Sequence, residues 1–387
     1  MKRSIFITSF IIILFIFSCS KIRKISDNVS SSENSYTVVF DSNCGKSVEI
    51  QEVKEGNNLM KPADPERVGY DFLGWFIGDR QWSFEEDSVT TDIMLTAKWK
   101  AIFETRIDDD KITIEKVINR SISSVIIPSK IDGYDVEYIG ESAFARCKEL
   151  TSVIIPSSVK SIGAHAFAEC ESLISITIGD GVTSIEDFAF INCKSLIRIT
   201  IPENVISIGD SAFYNCISLE NITIGSGVKK IGYGAFVNCV SLESITLSDS
   251  MGTIRSGLLY GCKSLKSIIF GSGVRNIENE AFAECTSLTS LIIPYNINTI
   301  KDYAFADCTS LESVIIGSGV VFVGSGAFFR CTSLEKVMIA SNVKIIGNNT
   351  FSDCPSLTIY CEASEKPEGW SENWNSGRPV VWGYTGN

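Results

Sequence analysis

Apolar and polar residues follow one fixed phrase between Leu150 and Cys354. The phrase reads L-x-x-I-x-I-P/G-x-x-V-x-x-I-G-x-x-A-F-x-x-C-x-S and returns every 23 residues. A fixed period between about 20 and 30 residues is typical of a solenoid, in which each coil packs only against its neighbours. The sequence therefore predicts a stacked array of about ten coils.

Each coil contains three predicted segments. In Leu-x-x-Ile-x-Ile, the fourth and sixth residues share one face of a strand, because strand side chains alternate. Pro156 or Gly179 then ends the strand, and Val-x-x-Ile forms a second extended piece. Ala-Phe-x-x-Cys predicts a short helical or 3₁₀ turn whose Phe fills the interior. The glycine after the second piece, such as Gly163, is expected to permit a turn without a Cβ penalty.

Two coils depart from the phrase. The first, residues 122–149, is five residues longer than the others, and such an insertion is expected to form a surface loop. In the coil at 242–264, Leu258-Leu259 replaces Ala-Phe and Met251 replaces Val. This coil is the place where we expect the solenoid to bend.

The ends of the array carry predicted caps. Residues 101–121 contain two strand-like runs around Asp108-Asp109-Asp110, which we interpret as the turn of a hairpin that covers the first coil. The acidic run lacks the glycine and distal glutamate of a calcium loop. In residues 357–387, Trp370, Trp374, Trp382 and Tyr384 are interpreted as a C-terminal aromatic cap, with a sugar-binding platform as the alternative.

The N-terminus predicts secretion. Residues 1–18 combine a basic start with an apolar run of 13 residues, Ile5 to Phe17, which is shorter than the roughly 20 residues that a membrane-spanning helix needs. Ser18-Cys19 resembles a bacterial lipobox, which implies a lipidated Cys19 and a membrane anchor, with an ordinary signal peptide as the alternative. Residues 19–35 are polar and predict a flexible tether.

Residues 36–100 have a different pattern. Tyr36–Phe40 and Ser47–Val53 predict two strands around the turn that contains Cys44. The motifs V-x-F, G-Y-x-F-x-G-W and L-T-A-x-W resemble the internalin-type B-repeat, although Cys44 replaces a glycine usual in that family. The resemblance implies a small β-grasp-like spacer in a bacterial surface protein.

The array itself, residues 103–387, resembles the BspA-like, or treponemal-type, leucine-rich repeat family. The ten copies of the Phe/Cys phrase carry this resemblance. It implies a mainly β solenoid, with repeats over 122–356, on a bacterial lipoprotein at the cell surface, anchored in the outer membrane. It also implies adhesion to host extracellular-matrix proteins or to other bacterial surfaces. The alternatives are a structural or co-aggregation scaffold and a glycan-binding protein that uses the C-terminal Trp cluster.

Composition narrows the chemistry. The net charge of −12 disfavours nucleic-acid binding. His165 is the only histidine, interpreted as a solvated surface residue, and no C-x-x-C pair is present, so we expect no metal site, no cofactor and no enzyme. The ten repeated cysteines favour a buried, reduced ladder, with disulfides as the alternative.

The outward positions of the first strand are the candidate binding site. Near the C-terminus, the fifth residue of successive coils is Ile269, Ile292, Ile315 and Met338, and the third is Ser290, Ser313 and Lys336. Exposed apolar stripes often mark protein-binding sites. The alternatives are that β-branched residues simply stabilise the strands, or that the C-terminal cap covers them.

Overall fold

The computed structural model describes residues 35–55 and 57–385. The predicted signal peptide, Cys19 and most of the tether lie outside these ranges. Within them, no helix is long and apolar enough to cross a membrane.

A five-stranded mixed sheet precedes the repeats, with the order β2-β1-β5-β3-β4. β1 and β5 are parallel, and the other pairs are antiparallel. Trp75 and Leu95 are buried in one core cluster with Leu59, which precedes β3. The second strand is shorter than the predicted Ser47–Val53, and Ser35, expected in the tether, already belongs to β1. The strands are β1 (Ser35–Asp41), β2 (Gln51–Lys54), β3 (Tyr70–Ile77), β4 (Arg80–Gln81) and β5 (Ile93–Ala101).

The predicted hairpin follows as β6 (Phe103–Asp108) and β7 (Lys111–Val117). Its turn places Asp109 and Asp110 in the left-handed region, with φ of 48° and 60°. The prediction of a hairpin turn is therefore confirmed.

The first coil contains β8 (Ser124–Ile126), β9 (Lys130–Ile131) and β10 (Tyr134–Ile139). The insertion forms the antiparallel pair β9·β10, and its turn residue Asp132 reaches the preceding sheet. The Asp132 carboxylate accepts hydrogen bonds from Arg67 at 2.9 Å and from the Tyr70 hydroxyl at 2.7 Å. Burial, followed by this bond, raises the pKa of Tyr70. The inserted loop thus joins the N-terminal sheet to the solenoid.

Each later coil contributes one strand to each of two parallel ladders. Residues 23 apart pair directly, for example Val153 with Ile176 and Ile162 with Ile185. The first strands are β11 (Ser152–Ile154), β13 (Ser175–Thr177), β15 (Arg198–Ile201), β17 (Asn221–Ile224), β19 (Ser244–Thr246), β21 (Ser267–Ile269), β23 (Ser290–Ile293), β25 (Ser313–Ile316), β27 (Lys336–Ile339) and β29 (Thr358–Cys361). The second strands are β12 (Ser161–Ile162), β14 (Ser184–Ile185), β16 (Ser207–Ile208), β18 (Lys230–Ile231), β20 (Thr253–Ile254), β22 (Asn276–Ile277), β24 (Thr299–Ile300), β26 (Phe322–Val323) and β28 (Ile345–Ile346).

The third side of each coil consists of turns, with no helix or 3₁₀ segment in the described ranges. Ala168 N–H donates to its own coil, to the His165 carbonyl at 2.9 Å, whereas Phe167 N–H donates to the next coil, to the Ala189 carbonyl at 2.8 Å. This alternation requires left-handed residues at two positions of every coil, such as His165 and Glu169 with φ of 54° and 58°. The structure therefore has a series of single hydrogen-bonded turns where the sequence predicted a short helical or 3₁₀ turn.

The glycine after the second strand has a different role from the predicted one. Gly163 does not adopt a positive φ. A Cβ at Gly163 would lie 2.7 Å from the Ile139 carbonyl oxygen of the preceding coil. Close approach of two coils, rather than turn geometry, therefore favours glycine there.

The interior holds a stack of phenylalanines beside a ladder of thiols. Phe167 and Phe190 lie 5.3 Å apart with their rings parallel within 1°. The thiol of Cys193 donates a hydrogen bond to the Phe167 carbonyl of the preceding coil at 3.2 Å. The same carbonyl also accepts from Cys170 N–H at 3.3 Å, so the thiol adds a second, weak hydrogen bond between the coils. The twelve described cysteines are all free.

The irregular coil at 242–264 interrupts both ladders. In the described chain, β17 is not hydrogen-bonded to β19, nor β18 to β20. Leu259 replaces a phenylalanine and breaks the aromatic stack, which resumes at Phe282 with Phe270 against it at 5.9 Å. A further gap in the first ladder lies between β21 and β23. Bending at this coil stays a prediction.

The turn after the first strand alternates between two types of coil. From Gly179 to Asn342 the sequence reads Gly-x-Gly in one coil and Pro/Ser/Ala-x-Asn/Ser in the next, a repeat of twice 23, or 46, residues. A Cβ at Gly181 would overlap the Ser157 carbonyl of the preceding coil. In the other type, Asn204 donates from its side chain to the Asp180 carbonyl at 2.7 Å. Interfaces at which glycines allow two coils to approach closely thus alternate with interfaces at which a side chain bridges two coils.

The C-terminal end is closed by aromatic rings. Trp370 and Trp374 are 2% and 3% exposed, and Trp374 packs on Phe351 with ring centres 6.2 Å apart. This burial agrees with the predicted cap for these two rings and makes them inaccessible as a sugar-binding platform. The last described strand, β30 (Val380–Val381), pairs with β29 and ends the first ladder.

Candidate functional site

The outward side of the first ladder carries the candidate residues. We number each coil from its first leucine, such as Leu150. The fourth and sixth residues of the coil are directed inward, and the third and fifth outward. Ile269, Ile292 and Ile315 are 61%, 66% and 40% exposed, and Met338 is half-buried. We call these four residues the apolar column. The cap therefore leaves most of the column uncovered.

The column continues through direct strand pairing. Ile292 pairs with Ile315, and Ile315 pairs with Met338. Ile269 belongs to β21, which the ladder gap separates from β23. The apolar column therefore crosses the gap between β21 and β23. From β19 to β30, this is the only place in the described array where neighbouring first strands are not hydrogen-bonded.

Polar residues flank the column. Ser290 is exposed, and Ser313 and Lys336 are half-buried. The Lys336 ammonium lies 5.1 Å from the ring centre of Tyr360 and 5.6 Å from that of Tyr384. These cation–π contacts hold Lys336 against the C-terminal cap, so its charge is less available to a partner than the sequence pattern indicates.

The structure adds Tyr360 to the column, because Tyr360 pairs with Met338. Counting 23 residues from Met338 leads to Cys361 instead, since the last coil is one residue shorter. Cys361 consequently lies inside the first ladder, paired with Ile339, and outside the thiol ladder. The one-residue deletion is visible in the sequence as Leu-x-Ile-x-Cys, from Leu357 to Cys361, in place of Leu-x-x-Ile-x-Ile.

The same outward position is polar in the middle of the array. Thr177, Thr200, Thr223 and Thr246 are exposed there. Towards the N-terminus it becomes apolar again, with Ile126 and Ile154 at 72% and 44% exposed. The face therefore has an apolar region at each end and a threonine region between them.

The repeated thiols and the single histidine of the array pack against neighbouring coils. Burial raises the pKa of Cys216, Cys262 and Cys308 to about 12, so these thiols stay protonated and unreactive at neutral pH. His165 is a partly exposed surface residue that stacks on Phe188 with ring centres 4.8 Å apart, so it is less solvated than predicted. No group of three His, Cys, Asp or Glu residues in the described ranges could hold a metal ion.

Comparisons with known proteins agree with this architecture. The BspA-type leucine-rich repeat region matches residues 112–243 and 229–358, more than half of the chain, and the Listeria-Bacteroides repeat domain matches residues 36–98. The crystal structure of a leucine-rich repeat protein from Bacteroides ovatus is 30% identical, covers 73% of this chain and 76% of its own, and has a TM-score of 0.63. A leucine-rich repeat protein from T. pallidum is 33% identical over 48% of this chain and 88% of its own, with a TM-score of 0.46.

Curated relatives match only in part. A protein of Evansella cellulosilytica, provisionally named a membrane protein, is 40% identical over 70 residues, which are 17% of this chain. The chain spans about a tenth of the length of that relative. Leucine-rich repeat solenoids are typically non-enzymatic modules, and the repeat implies protein–protein interaction in general. On the family match and the coil geometry together, the chain belongs to the BspA-type leucine-rich repeat family, with a Listeria-Bacteroides repeat domain before the array.

Proposed function

We propose that this chain is a bacterial cell-surface adhesion protein that binds another protein through the apolar column. The observation that carries the proposal is the exposure of Ile269 and Ile292, at 61% and 66%, on an open sheet face. Burying one such side chain contributes about 1.5–3 kcal/mol. A partner that covers both gains enough to form a binding hot spot. The flanking Ser290 can donate a hydrogen bond at the edge of the same contact.

The test replaces two central residues of the column by lysine. Ile292→Lys with Ile315→Lys keeps the buried face of both strands and places two desolvated charges in the interface. We expect partner binding to fall at least a hundredfold. The matched control is Thr200→Lys with Thr223→Lys, which makes the same charge change at the same strand position in the threonine region. Equal binding by the two variants would refute the role of the column.

The ligand class is proposed as a host extracellular-matrix protein or a surface protein of another bacterium. Immobilised matrix proteins and intact bacterial cells serve as the two capture surfaces, with a glycan array as the third. Retention on either protein surface that is lost in the lysine variant supports adhesion. Retention only on glycans, unchanged in the variant, would replace it by sugar binding.

A lipid anchor at Cys19 is proposed as the attachment to the outer membrane, with residues 1–18 removed and 19–35 as tether. The basis is the sequence around Ser18-Cys19, outside the described residues. Cys19→Ala should abolish incorporation of a labelled fatty acid and release the protein from the membrane fraction, whereas Cys44→Ala should change neither. Protease shaving of intact cells then decides whether the array, residues 122–356, faces outward, since a surface array is digested and a periplasmic one is protected.

A further inference from the structure

The solenoid begins with half of a coil. β7 pairs in parallel with β10, in the same way as second strands of successive coils pair with one another. The hairpin therefore occupies the place of a second strand in a coil that would precede the first. The described chain contains no corresponding first strand, because β8 is the terminal strand of its sheet. The predicted cap thus covers one ladder and leaves the other open.

The backbone of β8 has an unused side. Ile127 N–H donates to the Ile154 carbonyl at 2.9 Å, and the Ser123 carbonyl accepts from Thr151 N–H at 2.7 Å. Alternate residues of a parallel strand bond to opposite neighbours. Ser124 and Ile126 consequently direct their N–H and C=O groups away from β11, towards the position of the missing strand.

A cavity of about 390 Å³ lies at that position. One wall is formed by residues 124–126, and the opposite wall by Gly69, Ile102 and Phe103. Asp71 and Lys100 also line the cavity, and their opposite charges leave the lining without a net charge, which favours an uncharged occupant. At roughly 30 Å³ per water, the cavity holds about a dozen waters. That is room for a short extended segment and too little for the end of a second solenoid.

The walls of the cavity are fixed to each other. The Arg67–Asp132 ion pair at 2.9 Å and the hydrogen bond from the Tyr70 hydroxyl to Asp132 at 2.7 Å tie the N-terminal sheet to the first coil. The slot is therefore built before any ligand arrives, which lowers the entropic cost of binding.

We propose that this slot binds one extended, uncharged segment of a partner polypeptide, which pairs in parallel with β8 and supplies the missing first strand. Strand addition at a free sheet edge uses backbone hydrogen bonds for affinity and alternate side-chain positions for specificity. An apolar residue of the segment packs inward beside Val125, and its neighbours are directed outward like Ile126. The slot is separate from the apolar column and does not depend on it.

The probe is an acetylated, amidated peptide with the sequence of residues 218–224, a first strand of this array, in which Gln replaces Glu220 so that the peptide is uncharged (Ser-Leu-Gln-Asn-Ile-Thr-Ile). Within the array, Ile155 N–H donates forward to the Thr177 carbonyl of the next coil. Because alternate residues of a strand bond to the same neighbour, the residue equivalent to Val153 also directs its N–H group to the next coil. In the peptide that residue is Ile222, whereas Thr223 faces away. N-methylation at Ile222 should weaken binding to the full chain at least tenfold, and N-methylation at Thr223 should leave it unchanged.

Hydrogen exchange provides the second measurement. The amides of Ser124 and Ile126 should become protected when the peptide binds, while that of Val125, already bonded to β11, should not change. Absence of saturable binding, equal effects of the two N-methyl groups, or protection of Ser124 and Ile126 before peptide is added would each overturn the proposal. The Ile292→Lys, Ile315→Lys variant should bind the peptide normally, which separates this site from the proposed adhesion surface.

Discussion

The buried thiol ladder predicts that the solenoid loses stability in mildly alkaline solution. Burial raises the pKa of Cys216, Cys262 and Cys308 from an ordinary value of about 9 to about 12. The folded chain therefore retains three protons that the unfolded chain releases above pH 9. The stability they contribute is fully present below pH 9 and is lost as the pH rises towards 12.

The magnitude follows from proton linkage. At pH 10, an unfolded thiol with a pKa of about 9 gains roughly 1.4 kcal/mol by ionising, and the folded thiol gains almost nothing. The three thiols together thus remove about 4 kcal/mol from the free energy of unfolding between pH 7 and pH 10. The other buried thiols whose pKa is raised, such as Cys193 and Cys239, add to this loss.

Urea unfolding under reducing conditions at pH 7 and pH 10, followed by Trp fluorescence, measures the difference. The triple variant Cys216→Ala, Cys262→Ala, Cys308→Ala is less stable at pH 7 because it contains cavities, but its loss on going to pH 10 should be smaller by about 4 kcal/mol. Cys44→Ala is the control, since that thiol is exposed. An unchanged pH difference in the triple variant would refute the reasoning.

Three further predictions concern contacts between coils, at the C-terminal end, and between the N-terminal sheet and the first coil. Gly181→Ala should cost about 1–3 kcal/mol of unfolding free energy in urea, because its Cβ overlaps the preceding coil, whereas Gly252→Ala, with no atom within 4 Å of the Cβ, should cost none. Trp374→Ala uncovers the last coil and should cost about 3–5 kcal/mol by the same measurement; a smaller loss than that of Gly181→Ala would contradict its role as cap. Asp132→Ala should lower the pKa of Tyr70, followed by NMR of labelled tyrosine, since its carboxylate helps to raise that pKa; no movement would mean that burial alone sets it.

The strands and interior of each coil could be predicted from the sequence because the repeat is strict. Leu173, Ile176 and Phe190 recur at fixed steps, and each recurrence is buried except Ile268, which is partly buried. Side-chain alternation along a strand is sufficient to assign Ile292 and Ile315 to the outer face. Their function as a binding site is still a prediction.

Features set by contact between coils were not predictable from one coil. The first left-handed position of the coil is occupied by residues as different as His165 and Phe188. The hydrogen bonds to the neighbouring coil impose the backbone angle whatever the side chain. The hairpin at 103–117 could be recognised from local alternation. Which ladder it extends depends on pairing with β10 across an inserted loop, and the sequence contains no signal for that choice.

The alternation of Gly-x-Gly and Asn-bearing turns has a consequence for how such genes change length. Loss of one coil would place two turns of the same type in contact, with either a clash at a carbonyl or an unfilled gap, whereas loss of the 46 residues of a pair restores every interface. Replication slippage or recombination should therefore be tolerated in units of two coils. At about 4.8 Å per strand, the outer face would then lengthen or shorten in increments of about 10 Å. Gain or loss of coil pairs, rather than substitution of single residues, would therefore set how far the surface extends.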